Sequence, residues 1–163
     1  MAKKKTAVTN AMRLLQAAKI QFETVEYETD AVGEAFGEKI SELTGIPPEM
    51  SFKTLVARGD KSGVITVCVP VKCEVNLKKL AQVSGNKKAE LIHVKELLNL
   101  TGYVRGGVSP IGMKKHYPTY VDLSAKSLEK IAVSGGICGI TLIMTPNDLQ
   151  KATKCNFADI TAD

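Results

Sequence analysis

Apolar and polar positions change period several times along the chain, and each change marks an element. Between Thr9 and Lys19, Met12, Leu15 and Ala18 recur at helical spacing, whereas Gln21 to Tyr27 alternates like a strand, with Phe22 and Thr24 opposite Val25 and Tyr27. Phe36, Ile40 and Leu43 predict a second helix; Gly45 can end it in the left-handed conformation, and Pro47-Pro48 prevents its continuation. Phe52 to Arg58 and Val64 to Val69 are β-rich runs joined by the polar loop Gly59-Asp60-Lys61-Ser62-Gly63, which predicts an antiparallel hairpin. Asn76 can cap a helix running toward Ser84-Gly85, and a further helix spans roughly Val94 to Leu100 before Gly102. Later strands are expected at Tyr120 to Leu123, Lys130 to Ser134 and Gly139 to Met144. Thr145-Pro146-Asn147-Asp148 combines an N-cap, a proline at the first helical position and a carboxylate two residues later, so a closing helix should run to about Cys155.

Hairpins and helices interleave irregularly, without the repeating strand-helix alternation of a doubly wound sheet. The expected class is therefore α+β, around a mixed or mostly antiparallel sheet with flanking helices. The 163 residues fit one domain, and no internal repeat, low-complexity tract or polar linker divides them, so residues 1–163 are read as a single unit. Hydrophobic residues at 44% and charged residues at 24% are ordinary for a globular domain and exclude disordered, collagen-like and coiled-coil readings.

No run approaches the roughly 18 apolar residues that a spanning helix needs, and Met1-Ala2-Lys3-Lys4-Lys5 leads into no signal-type apolar block, which points to the cytoplasm. Cys68, Cys73, Cys138 and Cys155 form no C-x-x-C pair, and His93 and His116 fall in no ligand spacing. Neither a metal nor another cofactor is expected, and the thiols read as reduced, mostly buried small apolar side chains.

The net charge of +5 comes with lysine pairs at Lys78-Lys79, Lys87-Lys88 and Lys114-Lys115, spaced through the chain. A polyanionic partner fits this distribution, as does a solvated surface that is merely basic. Aromatics at 5%, with no tryptophan, argue against an open platform for stacking bases, so a nucleic acid would be held mainly through its phosphates.

Two features could carry chemistry. The stretch Gly107 to Lys114 nearly spells a phosphate-binding loop, but Met113 stands between Gly112 and the lysine that would have to follow it. Read as a nucleophile elbow, Gly107-Val108-Ser109-Pro110-Ile111-Gly112 is one residue too long, and Pro110 removes a backbone donor from the oxyanion hole. What remains is Gly106-Gly107, able to turn successive N–H groups toward one spot beside the stiff Pro110, or simply a tight connection that needs glycine for geometry. Lys53 is the second feature: alternation places it with Leu55 and Ala57, against Phe52, Thr54 and Val56 on the other face. A lysine there can aim at a ligand carboxylate, carbonyl or phosphate, or snorkel from a strand end.

An ordered set of stretches resembles the YbaK/EbsC family of trans-acting aminoacyl-tRNA deacylases, and most nearly its Cys-tRNA(Pro) deacylases. The set comprises Tyr27-Glu28, Phe36-Gly37, Phe52-Lys53-Thr54-Leu55, Leu77-Lys78-Lys79, Thr101-Gly102-Tyr103, Gly106 through Lys115, Val133-Ser134-Gly135-Gly136 and Phe157-Ala158-Asp159-Ile160. The resemblance covers nearly the whole chain. It implies a compact α+β fold with a strongly curved sheet, and a pocket where Lys53 and Thr54 face Gly106, Gly107, Ser109 and Pro110, with Tyr27, Phe36 and Ser134 beside them. Lys53 would orient the terminal nucleotide or amino acid, Gly106 and Gly107 would polarise the ester carbonyl, and Ser134 would support by a hydrogen bond. In the cysteine-specific members the substrate thiol is held to attack its own carbonyl, which fits a chain without a Ser-His-Asp or Cys-His set. The implied partners are mischarged tRNA(Pro) and prolyl-tRNA synthetase; the alternatives are a non-catalytic tRNA- or synthetase-binding adaptor, or the same hydrolysis on another small mischarged aminoacyl-tRNA. One departure stands out: Cys138 and Thr141 occupy positions where many relatives carry a basic and an acidic residue, which opens the question of amino-acid preference.

Overall fold

A computed structural model describes residues 8–27, 42 and 44–162. Helix α1 (Asn10–Ala17) starts where Thr9 accepts the Met12 N–H, and its Ala11, Met12 and Leu15 are buried. Strand β1 (Glu23–Glu26) follows, and a short 3-10 turn, Pro48–Met50, leads into β2 (Phe52–Gly59) and β3 (Gly63–Pro70). Helix α2 (Leu77–Val83) is capped by Asn76, whose side chain accepts the Lys79 N–H. After β4 (Ala89–Leu91), a 3-10 turn runs into α3 (Leu97–Thr101), which Gly102 ends at φ +84°. Strands β5 (Thr119–Asp122), β6 (Ile131–Ser134) and β7 (Ile140–Met144) precede α4 (Pro146–Thr153) and β8 (Asn156–Ala158). The helix expected around Phe36 and Ile40 falls largely outside the described residues.

Two sheets result. One has the order β1-β7-β6 and is antiparallel; the other has the order β4-β2-β3-β5-β8 and is mixed, since β3 pairs with β5, and β5 with β8, in parallel. A parallel bridge between Ser51 and Ala132 joins them, laying the start of β2 beside β6. The sheet is not strongly curled or closed, in contrast to the strong curvature implied by the resemblance. Its outer strands, β1 on one side and β8 on the other, pair with nothing further among the described residues.

Opposite faces of this surface bury different clusters. On one side Phe52, Cys68, Val133, Ile140 and Leu142 pack with α1 and with Leu149 of α4. On the other, Ala57, Ile65, Val67 and Val69 meet Leu80 and Ala81 of α2, and Ala132 and Ile143 meet Ile46. The fold is thus α+β with helices on both faces. No helix among the described residues is long and apolar enough to cross a membrane.

Candidate functional site

The bridge between the sheets decides where Lys53 lies. Side chains of bridged residues share a face, so Ser51 lies with Ala132, and two positions on, Lys53 lies with Ser134. Ser134 pairs with Thr141 across β6 and β7, and Thr141 pairs with Val25 of β1. Tyr27, two residues past Val25, keeps that face and continues the ladder through its N–H to the Gly139 carbonyl at 2.9 Å. Four strands therefore present one polar row, Tyr27, Thr141, Ser134 and Lys53, between the apolar clusters under Ile46 and under α2.

The row is loosely held at its cationic end. Lys53 is 28% exposed, and its Nζ lies 3.8 Å from Oε1 of Glu74, a carboxylate that is itself 75% exposed. Such a pair contributes little and leaves the ammonium free to turn to a ligand. At the other end, burial pushes the Tyr27 phenol above its ordinary pKa, against the Gly139 backbone and Thr141 side chain, which act in the opposite direction. Between them, Thr141 is buried; its Oγ1 has no well-formed hydrogen bond among the described residues, although the Tyr27 phenol is near enough to sense it. Ser134 Oγ accepts the Gly136 N–H at 3.2 Å and so shapes the hairpin tip that follows β6.

The glycine loop docks on that tip. A Cβ at Gly107 would lie 2.9 Å from both the Ile137 Cα and the Cys138 nitrogen, so the loop and the tip touch backbone to backbone. Gly106 takes φ +88°, with Cys138 Sγ the nearest atom to its missing Cβ at 3.9 Å. Only one of the two glycines is therefore needed for its φ, and the other for close approach. The Gly107 N–H is already committed to the Val104 carbonyl at 2.9 Å, which closes a turn, while the Gly106 N–H has no partner among the described residues. Below, the buried Tyr103 donates its hydroxyl to the Ile111 carbonyl at 2.6 Å, and its ring packs against Gly136. From α1, Asn10 Nδ2 donates to the Gly112 carbonyl at 2.7 Å.

Of the residues singled out from the sequence, Lys53, Ser134 and Tyr27 come together on one face, and Gly106 and Gly107 flank the tip beyond them. Three others lie elsewhere. Thr54 occupies the opposite face of β2, its hydroxyl 3.7 Å from Cys68 Sγ. Ser109 is fully buried and accepts the Ile111 N–H, and Pro110 beside it is buried too. In this structure these three pack within the loop and against the core. Phe36 lies outside the described residues. Thr141, first noted only as a departure from relatives, sits in the middle of the row.

Two surface depressions lie away from this row, one between Phe22, Lys130 and Asp148 and one between Arg58, Asp60 and Glu96. Among the described residues no group of His, Cys, Asp and Glu could hold a metal. Cys68 and Cys155 are buried, Cys73 is half-buried and Cys138 is exposed at the tip, so the expectation of mostly buried thiols holds for only part of the set.

Residues 31–152 match the aminoacyl-tRNA editing domain. A protein of Enterococcus faecalis, named EbsC and described as a candidate Cys-tRNA(Pro)/Cys-tRNA(Cys) deacylase, is 43% identical over 162 residues, covering 99% of this chain and 98% of its own. A proline-tRNA ligase of Brachyspira hyodysenteriae is 30% identical over 83 residues, which make up 51% of this chain and 14% of the ligase. Among solved structures, a candidate trans-editing enzyme for prolyl-tRNA synthetase superposes with a TM-score of 0.82 at 23% identity, over 97% of this chain and all of that one. At that identity the superposition speaks for the fold.

Proposed function

The chain belongs to the aminoacyl-tRNA editing domain family, and we propose that it is a trans-editing enzyme that removes a wrongly attached amino acid from tRNA, with Cys-tRNA(Pro) as its substrate. The observation that carries this reading is the polar row across four strands, with a loosely paired cation at one end and a glycine lip at the other. An aminoacyl ester is already activated, so positioning and carbonyl polarisation can suffice. The Lys53 ammonium would hold the terminal nucleotide or the amino-acid end. The Gly106 N–H, without a partner among the described residues, would point at the ester carbonyl, while Gly107 sets the separation between lip and tip. Ser134 would fix the tip geometry, and Tyr27 with Thr141 would line the floor.

For a cysteinyl ester, the substrate thiol attacks its own carbonyl carbon, the bond to the ribose oxygen breaks, and the thiol proton ends on that oxygen. The products are a thiolactone and free tRNA, with no protein nucleophile and no cofactor. We read residues 1–163 as one editing domain, acting in the cytoplasm. Likeness to a segment of a proline-tRNA ligase supports prolyl-tRNA synthetase as the partner that lends tRNA selection.

Release of labelled amino acid from Cys-tRNA(Pro), Ala-tRNA(Pro) and Pro-tRNA(Pro) tests the reading. Cysteine should be released fastest, and Lys53→Ala should lower kcat/KM by about 10- to 100-fold, the loss of one charged contact of 1.5–3 kcal/mol. No hydrolysis of any of the three esters would sink the enzymatic reading, and full activity in Lys53→Ala would sink the site.

A further inference from the structure

The structure sorts the basic residues into two kinds. Lys79 is paired with Asp159 at 3.2 Å, Lys88 with Glu90 at 3.0 Å and Arg58 with Glu96 at 3.1 Å. Around the glycine loop the situation differs. Four segments pack there: the start of α1 through Asn10 and Gly112, the loop itself with α3 before it, the β6-β7 tip through Gly107, and the end of β1, whose Tyr27 N–H bonds the Gly139 carbonyl of that tip. Residues 8–22, 97–121 and 131–147, which contain the first three, include no aspartate or glutamate, while β1 brings Glu26 opposite Ile140. Arg105, Lys114 and Lys115 stand in the acid-poor segments, exposed and without an ion pair among the described residues. The Lys114 N–H bonds the Thr101 carbonyl at 3.0 Å, which ties the lysine pair to the base of the loop. Arg13, exposed one turn beyond Asn10, lies on the same side of α1.

We propose that this basic face, formed by Lys114 and Lys115 with Arg105 and Arg13, is the dock for the phosphate backbone of the tRNA acceptor arm. The proposal rests on the deacylase reading for the identity of the polyanion. The chemistry follows from placement: a terminal ester held at the row and lip puts the preceding phosphates beyond the lip, where, among the described residues, these cations face solvent with no carboxylate paired to them that would compete for a phosphate. Of the three lysine pairs, this one alone combines exposure of both members, no ion partner among the described residues and contact with the loop. Lys78-Lys79 and Lys87-Lys88 each have one member tied to a carboxylate.

Binding of uncharged tRNA(Pro) transcript measured between 50 and 300 mM KCl tests it. The double variant Lys114→Gln/Lys115→Gln should reduce the slope of log affinity against log salt by about 1.8, at about 0.9 per phosphate contact, and weaken binding about 30-fold at 0.15 M salt. The control Lys78→Gln/Lys87→Gln changes net charge equally and should leave both nearly unchanged. With an aminoacylated CCA trinucleotide, which lacks the arm, Lys114→Gln/Lys115→Gln should keep the parent kcat/KM, while KM for full Cys-tRNA(Pro) rises. Equal losses in the two double variants would reduce the effect to net charge and overturn the dock, as would an unmoved slope in Lys114→Gln/Lys115→Gln. If the parent protein hydrolyses no ester but the slope falls as stated, the dock stands and the deacylase reading falls. If it hydrolyses Cys-tRNA(Pro) with an unmoved slope, the reverse holds.

Discussion

At the residue scale, the two loop glycines separate by cause. Gly106 needs its positive φ, so Gly106→Ala should cost about 1–2 kcal/mol, the usual penalty for a Cβ in the left-handed region, and leave the packing intact because nothing crowds its Cβ. Gly107 has ordinary φ, but its Cβ would meet backbone on the facing tip, which cannot rotate away. Gly107→Ala should therefore pry loop and tip apart and lower deacylation more than Gly106→Ala, even where thermal midpoints fall equally; the opposite ranking in single-turnover assays would contradict the lip. Thr141 offers the complementary test. Removing a buried hydroxyl that lacks a good partner is nearly neutral or stabilising, whereas a hydroxyl that receives substrate is missed only in catalysis. Thr141→Val should keep or raise the thermal midpoint and reduce kcat/KM for Cys-tRNA(Pro) about 3- to 10-fold. A clear drop in stability would show that the hydroxyl serves the fold.

At the element scale, caps and turns were readable because they are local. Asn76 and Thr145 each cap as their sequence contexts predict, and the hairpin of β2 and β3 closes where Gly59 and Gly63 bound its loop. Strands β4 and β8 were not readable, since three residues are too few to show a period and both exist only through pairing with β2 and β5. The face of Lys53 followed from alternation, but its neighbours did not: the bridge of Ser51 to Ala132 joins positions far apart in the chain. For the same reason Thr54 and Ser109, adjacent to the right motifs, proved to face inward. Hairpin register, which sets the position of Lys53, has a local clamp. Asn86 accepts the Lys61 and Ser62 N–H groups, each at 2.8 Å, and occupies the space that a side chain at Gly59 would need. Asn86→Ala strands two loop donors and should cost about 1–3 kcal/mol, read as a lower denaturation midpoint at unchanged m-value.

At the scale of the molecule, the shifted groups divide between the two ends of the pH range and between two regions. Hydrogen bonds from the Lys88 and Lys87 backbone hold the Asp60 carboxyl below its ordinary value, and Arg58 does the same for Glu96. Their stabilisation is present above the unfolded carboxylate pKa of about 4 and is lost as pH falls through the lower folded values, so acid loosens the hairpin end and its tie to Glu96. Burial pushes Tyr103 and Cys68 the other way, each to about 12. Below their unfolded values of about 10 and 8.5 that contribution is fully present, and it is lost as pH rises toward 12 because the unfolded chain gives up protons that the fold retains. Tyr103 supports the glycine loop through Ile111 and Gly136, so alkali should act on the candidate site's own scaffold. Aminoacyl esters hydrolyse spontaneously in alkali, which makes stability the better readout than activity. In a phenolate titration at 295 nm, Tyr103 should ionise only together with loss of near-ultraviolet dichroism above about pH 10. Tyr103→Phe should delete that late step and flatten the alkaline limb, at a lower stability near neutrality because the Ile111 carbonyl loses its donor. Ionisation of every tyrosine near pH 10 with the dichroism intact would show that Tyr103 is open to solvent and that the loop stands without it.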